Sequence, residues 1–284
     1  MQETTITVPT ADGLELQTFQ WAPQGPPRAV VQVQHGLAEH AARYRRFAEA
    51  LTTAGYLVYA PDARGSGRTA AGRYGDWGPD GWPGWVEDIG RLNDRIRQDH
   101  PGLALALFAH SMGSFASQQY LLDHSADIDA LVLSGTTEVG GLVAMLDTPE
   151  PADLSAFNAP FEFRTGFEWL SRDEAEVDRY VADEACGWAA PAPANIATLV
   201  AATDPERLGG IRPDLPILLV SGTDDPIAGG GAAIELVAQR YRDAGVLDVE
   251  VHLYPGARHE VLNETNRDEV TADVIAFLDR TVGG

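Results

Sequence analysis

The sequence predicts an α/β protein built on a mostly parallel, twisted sheet with helices on both faces and one helical insertion. Three observations carry that prediction. Short apolar runs alternate with helical stretches along most of the 284 residues, a pattern that folds as strand, crossover and parallel strand. The alternation breaks between residues 138 and 212. A serine stands at a strand-to-helix junction, Ala109-His110-Ser111-Met112-Gly113. A tight turn there pushes the hydroxyl out at the carboxyl edge of the sheet, with a helix N-terminus behind it.

Taken in order, the chain opens with two alternating segments, Thr4 to Val8 and Leu14 to Trp21, around Asp12-Gly13. That dipeptide is a hairpin signal and predicts antiparallel strands. Apolar runs at Ala29 to Gln34, Tyr56 to Ala60, Leu103 to Phe108, Ala130 to Leu133, Ile217 to Val220 and Val249 to Tyr254 read as further strands. Between and after them, helices are expected over Tyr44 to Ala54, Trp85 to Gln98, Ser114 to Leu122, Ala232 to Ala244 and Arg267 to Leu278. The interrupting region mixes Phe157, Phe161, Phe163, Phe167, Trp169 and Trp188 with charges. Within it, Ser171-Arg172-Asp173-Glu174 offers a capping box for a helix running to about Val181. Its aromatic residues fit two roles, the insertion's own core or an apolar wall over the serine. The expected organisation is a core of residues 1–137 and 213–284 with a helical cap at 138–212.

Composition bounds the function. The chain carries 42 acidic against 20 basic side chains, a net charge of -22, which argues against nucleic acid and anionic membrane surfaces as partners. Hydrophobic residues make up 44%, enough for one large core with an insertion. Cys186 is the sole cysteine, so no intramolecular disulfide forms and no oxidising compartment is required. Met1 to Gly13 has neither a basic region nor an apolar stretch, and no later run nears ~20 apolar residues. A cytoplasmic protein without stable membrane insertion is expected, with monomer and homodimer both open.

A serine hydroxyl is a weak nucleophile near neutral pH and needs a general base, which in turn needs a carboxylate to fix its tautomer. In a sheet of this kind they follow in the order serine, acid, histidine, each on a loop after a later strand. His252 lies inside an alternating strand, whereas His259 sits in a loop just past Pro255-Gly256, so His259 is the expected base. The acid belongs after Ile217 to Val220, where Asp224 and Asp225 stand side by side before Pro226; spacing alone does not separate them. Oxyanion donors are expected from the Met112 amide and, by position, from Leu37 in the loop His35-Gly36-Leu37-Ala38-Glu39-His40.

These pieces together resemble the α/β-hydrolase superfamily, and within it the monoacylglycerol lipase and lysophospholipase-like branch, often filed with serine aminopeptidases. The matching segments are His35 to His40 with Arg43-Tyr44, Asp62 to Gly67, the serine hinge, Gly222 to Pro226, and Pro255 to His259 followed by Glu260 to Glu264. The first glycine of the usual hinge motif is Ala109 here. The resemblance implies an α/β-hydrolase fold, a triad of Ser111, Asp225 and His259, and oxyanion amides at Leu37 and Met112. It further implies an ester hydrolase for apolar acyl esters such as monoacylglycerols or lysophospholipids, working through an acyl-enzyme on a small-molecule substrate. Phe157, Phe161, Phe167, Trp169 and Trp188 are then expected to bind substrate. An amidase or peptidase with the same triad is the alternative, followed by a non-catalytic binding homologue. No cofactor or metal is implied.

Other motifs invite different readings. Gly65-Ser66-Gly67-Arg68-Thr69-Ala70 matches a dinucleotide fingerprint, but Ala71 to Pro83 is too rich in Gly, Pro and Trp to begin the required helix. Gly229-Gly230-Gly231 lacks a lysine and reads as a helix entry. His35, His40 and His110 follow no ligand spacing, Glu39 and Arg43 read as a structural pair, and Cys186 as an inert thiol.

Overall fold

An eight-stranded sheet runs through the computed structural model, which describes residues 1–146, 153–189 and 191–284. Its strands are β1 (Gln2–Pro9), β2 (Glu15–Ala22), β3 (Ala29–Gln34), β4 (Tyr56–Pro61), β5 (Leu105–His110), β6 (Ala130–Ser134), β7 (Ile217–Gly222) and β8 (Val249–Tyr254). Their order in the sheet is β1-β2-β4-β3-β5-β6-β7-β8. β2 runs antiparallel to both neighbours, and every later pairing is parallel. The Asp12-Gly13 turn sets the first hairpin, with Val8 opposite Leu16 and Pro9 opposite Glu15. β3, β4, β5, β6 and β7 are buried at every residue, as strands covered on both faces must be.

The helices are α1 (Arg45–Thr53), α2 (Gly81–Asp99), α3 (Met112–His124), α4 (Val139–Leu146), α5 (Glu174–Ala182), α6 (Pro205–Leu208), α7 (Ala232–Asp243) and α8 (Arg267–Thr281). Phe47 and Leu51 of α1 join Val270, Val274 and Phe277 of α8 in one apolar layer against the sheet. Trp85 and Ile89 of α2, Phe115 and Leu121 of α3, and Ile234 and Val237 of α7 fill the other. Both layers remove contiguous apolar area from water, the dominant favourable contribution to folding.

Two local expectations are corrected. Helix α2 begins at Gly81 and contains Trp82, Pro83 and Gly84, inside a stretch expected not to start one. Pro83 is its third residue, where an amide would have no intrahelical acceptor, so the missing N–H costs the helix nothing. The α5 cap is Asp173, whose carboxylate accepts from Ala175 N at 3.0 Å, and not Ser171. Ser171 Oγ instead donates to Asn263 O at 2.9 Å and accepts from Asp173 N at 2.9 Å. Its hydroxyl ties this segment to the chain beyond β8.

The stretch between β6 and β7 divides in two. Trp169, Leu170, Tyr180 and Cys186 form a small cluster of their own with Leu154, Phe157, Phe161 and Phe167. Farther on, Ile196, Leu199, Leu208 and Ile211 are buried in the same layer as α2 and α3.

Candidate active site

Ser111 stands between the last residue of β5 and the first of α3, at φ 50° and ψ -124°. A non-glycine residue in that region is strained, and its neighbours hold it there. Its amide donates to Ser134 O at 2.9 Å, and its carbonyl accepts from Ser114 N at 2.8 Å and Phe115 N at 3.1 Å. Gly113 is required by close approach, because a Cβ there would lie 2.5 Å from His35 O. Ala109 sits fully buried within β5, paired with Gln34 and Leu133, so the departure from glycine falls on ordinary strand.

The loop after β7 carries Asp224 and Asp225, and the loop after β8 carries His259. The two loops meet at Gly222, where an added Cβ would come within 1.9 Å of Ala257 O. Asp224 is exposed, and among the described residues its carboxylate meets only the neighbouring Thr223 hydroxyl, at 3.2 Å. Asp225 is buried and accepts from His259 Nδ1 at 2.9 Å through Oδ2 and from Ile227 N at 3.1 Å through Oδ1. With Nδ1–H so committed, His259 Nε2 is free to accept from Ser111 Oγ, 2.9 Å away. Burial alone would pull the His259 imidazole down; the Asp225 carboxylate outweighs it and holds the ring above its ordinary value.

The chain between β6 and β7 grips the loop that carries His259. His259 N donates to Trp169 O at 3.2 Å and Glu260 N to Leu170 O at 2.8 Å. The Trp169 ring packs on His259 with centroids 4.8 Å apart, and His110 packs on it at the same distance. Burial and the nearby His259 push His110 down to about 4, so it stays neutral beside His259.

Polar side chains fix the loop after β3. His35 donates from Nδ1 to Gly36 O at 2.7 Å and accepts at Nε2 from Ala63 N at 2.9 Å. The Glu39 carboxylate accepts from Gly36 N at 2.6 Å, Tyr44 Oη at 2.8 Å and Arg43 Nη1 at 2.6 Å. Burial pushes this carboxyl up, yet Arg43 and the neighbouring His110 hold it below the usual range. Arg43 also forks onto Glu260 at 2.5 and 2.7 Å and lies 4.9 Å from the Tyr180 ring. One guanidinium thus ties the β3 loop, the base loop and helix α5 together. Sequence reading flagged Glu39 and Arg43 as a pair and missed Glu260, whose place directly after His259 was the available signal. Leu37 and Met112 lie beside Ser111 in the cavity wall, and neither backbone N–H meets an acceptor among the described residues.

A cavity open to solvent lies over Ser111. Phe157 and Trp169 line it together with Phe115, Leu142, Leu154 and Ile227. Phe161, Phe167 and Trp188 do not. Phe161 packs beneath Arg258 at 4.3 Å, Phe167 on Tyr180 at 5.1 Å, and Trp188 on Tyr74 at 6.0 Å. The expected wall is therefore partly the insertion's own core. His252 lies on β8, 3.5 Å from Asp273.

His40, Asp183 and Cys186 bring potential metal-ligand atoms within 4.8 Å of one another. His40 Nε2 already donates to Asp183 Oδ2 at 2.9 Å, and burial pushes the Cys186 thiol far above its ordinary range. The group therefore reads as an anchor between the β3 loop and the end of α5. In the Gly65 to Gly67 turn, the Asp62 carboxylate already fills the space beside Gly67, accepting from Ala41 N at 2.9 Å and Arg68 N at 3.0 Å.

Comparison with known proteins agrees with this geometry. The family model described as Serine aminopeptidase, S33, matches residues 25–266. A monoacylglycerol lipase of Mycolicibacterium smegmatis is 32% identical over 91% of this chain and 90% of its own. A monoglyceride lipase of Mus musculus is 30% identical over 93% and 86%. Among solved structures, a thermostable carboxyl esterase from Bacillus coagulans in complex with glycerol superposes with a TM-score of 0.86, at 27% identity and 99% coverage of both chains. A lipase in an open form superposes at 0.85, with 30% identity and 100% coverage of both.

Proposed function

The chain belongs to the serine aminopeptidase family of α/β-hydrolases, and from that premise we propose that it is a serine hydrolase of carboxylic esters, monoacylglycerols foremost, working through Ser111, His259 and Asp225. Ser111 Oγ attacks the ester carbonyl as its proton passes to His259 Nε2, and Asp225 stabilises the imidazolium. The Leu37 and Met112 amides receive the negative charge on the carbonyl oxygen. The tetrahedral intermediate collapses, His259 gives its proton to the leaving alcohol, and Ser111 carries the acyl group. Water then surrenders a proton to His259 and attacks the acyl carbon, which releases the acid and returns the proton to Ser111.

The observation that carries this reading is the unbroken pair of 2.9 Å contacts from Ser111 through His259 to Asp225, opening on an apolar cavity. We assign the acyl chain to the wall formed by Phe115, Leu142, Leu154, Phe157 and Ile227. We assign residues 138–212 as the cap: Leu142, Leu154, Phe157 and Trp169 line the cavity, and Ile196, Leu199, Leu208 and Ile211 are buried against the core.

The family name keeps a peptidase in view. Recognition of a free amino terminus calls for an unpaired carboxylate near the serine. Glu39 and Glu260, which line the cavity, are both committed to Arg43, and this favours the ester. A panel of monoacylglycerols and anilides bearing the same acyl groups tests the choice. Higher kcat/KM on the esters is expected, and faster turnover of the anilides contradicts it.

A further inference from the structure

Trp169 is 4% exposed and lines the cavity with its ring against His259. Its indole Nε1–H is buried and has no acceptor among the described residues. An indole N–H only donates, and a buried donor without a partner is a standing cost that native folds ordinarily avoid. The other polar side chains of this cavity outside the triad are already engaged. Glu39 accepts from Gly36, Tyr44 and Arg43; Glu260 is forked by Arg43; Tyr180 Oη donates to Ala38 O at 2.9 Å; His110 Nδ1 meets Ser134 Oγ at 3.2 Å. Among the described side chains that line the cavity, Trp169 holds a buried N–H donor with no acceptor.

Three parts of an ester could use it. The carbonyl oxygen goes to the Leu37 and Met112 amides, and an alkyl acyl chain carries no acceptor. The alcohol portion must lie against His259, which protonates its oxygen, and Trp169 is packed on that imidazole. Its own backbone fixes the spacing, since Trp169 O accepts from His259 N at 3.2 Å and Trp169 N donates to Asn158 Oδ1 at 3.0 Å. We propose that Trp169 Nε1–H donates to a free hydroxyl oxygen of the leaving alcohol, so that the site selects esters of a polyol over esters of a plain alkanol. The proposal rests on the ester-hydrolase reading and adds a specificity-determining residue to it.

The test compares a 1-monoacylglycerol with the n-propyl ester of the same fatty acid, which has the same acyl group and a three-carbon leaving chain without hydroxyls. The wild-type chain is expected to show the higher kcat/KM on the monoacylglycerol. Trp169→Phe keeps an aromatic ring on His259 and removes the donor; it is expected to lower the monoacylglycerol-to-propyl ratio about tenfold. A merely structural role for the ring lowers both substrates alike, and an unchanged ratio overturns the proposal. Equal kcat/KM on the two esters in the wild type overturns it without any variant, which keeps the test decisive should Trp169→Phe fold poorly. Wild-type failure on both esters is a distinct result that removes the ester-hydrolase reading together with this proposal.

Discussion

His259 is where burial and charge oppose each other, and the balance sets the pH behaviour. The base must be neutral to accept the Ser111 proton, and Asp225 holds its pKa above the ordinary 6.5. Activity is therefore lost as pH falls through that raised value and recovers as pH rises above it. The acid limb of kcat/KM is expected above 6.5. Asp225→Asn removes the carboxylate, leaves burial dominant and moves that limb to lower pH, with kcat reduced by about 10³ to 10⁴. A limb that stays in place in the variant contradicts the assignment. At this scale the sequence was most legible for Ser111 and His259, because a nucleophile hinge and a base loop leave local marks. Asp225 was not separable from Asp224 by spacing. Side-chain direction decides between them: Asp225 meets His259, 34 residues on in the chain, and Asp224 faces solvent.

Among the elements, the Arg43 clamp is the contact that spacing least revealed. Its guanidinium is 12% exposed and neutralises two carboxylates, Glu39 and Glu260, that are 4% and 6% exposed. Removing one member of a buried ion network leaves uncompensated charge, which costs about 3–5 kcal/mol. Arg43→Met is accordingly expected to lose about that much in a urea unfolding titration, and a loss below about 1 kcal/mol would show the clamp to be incidental. Continuous apolar runs marked the strands covered on both faces, and helical spacing marked most of the helices, so nearly all the elements were placed from their own residues. The aromatic residues of the insertion were harder to assign. Phe157 and Phe161 are four positions apart in sequence, yet one meets the cavity and the other lies under Arg258. That sorting depends on irregular backbone, which carries no period.

In the whole molecule, alternation predicted a parallel sheet but could not order it. β4 lies between β2 and β3 because its crossovers return across the sheet, a choice made by packing between layers. The net charge is -22, yet the cavity over Ser111 is lined mainly by apolar side chains, and the two carboxylates in its wall, Glu39 and Glu260, are paired with Arg43. Among the described residues no helix is long and apolar enough to cross a membrane. Fold and cavity converge on one hydroxyl, and that convergence is the claim to test. Reaction of the folded chain with a fluorophosphonate, followed by intact-protein mass measurement, should give a single adduct on the wild type and none on Ser111→Ala. A wild-type chain that stays unmodified, or a Ser111→Ala chain that labels to the same extent, would contradict the account.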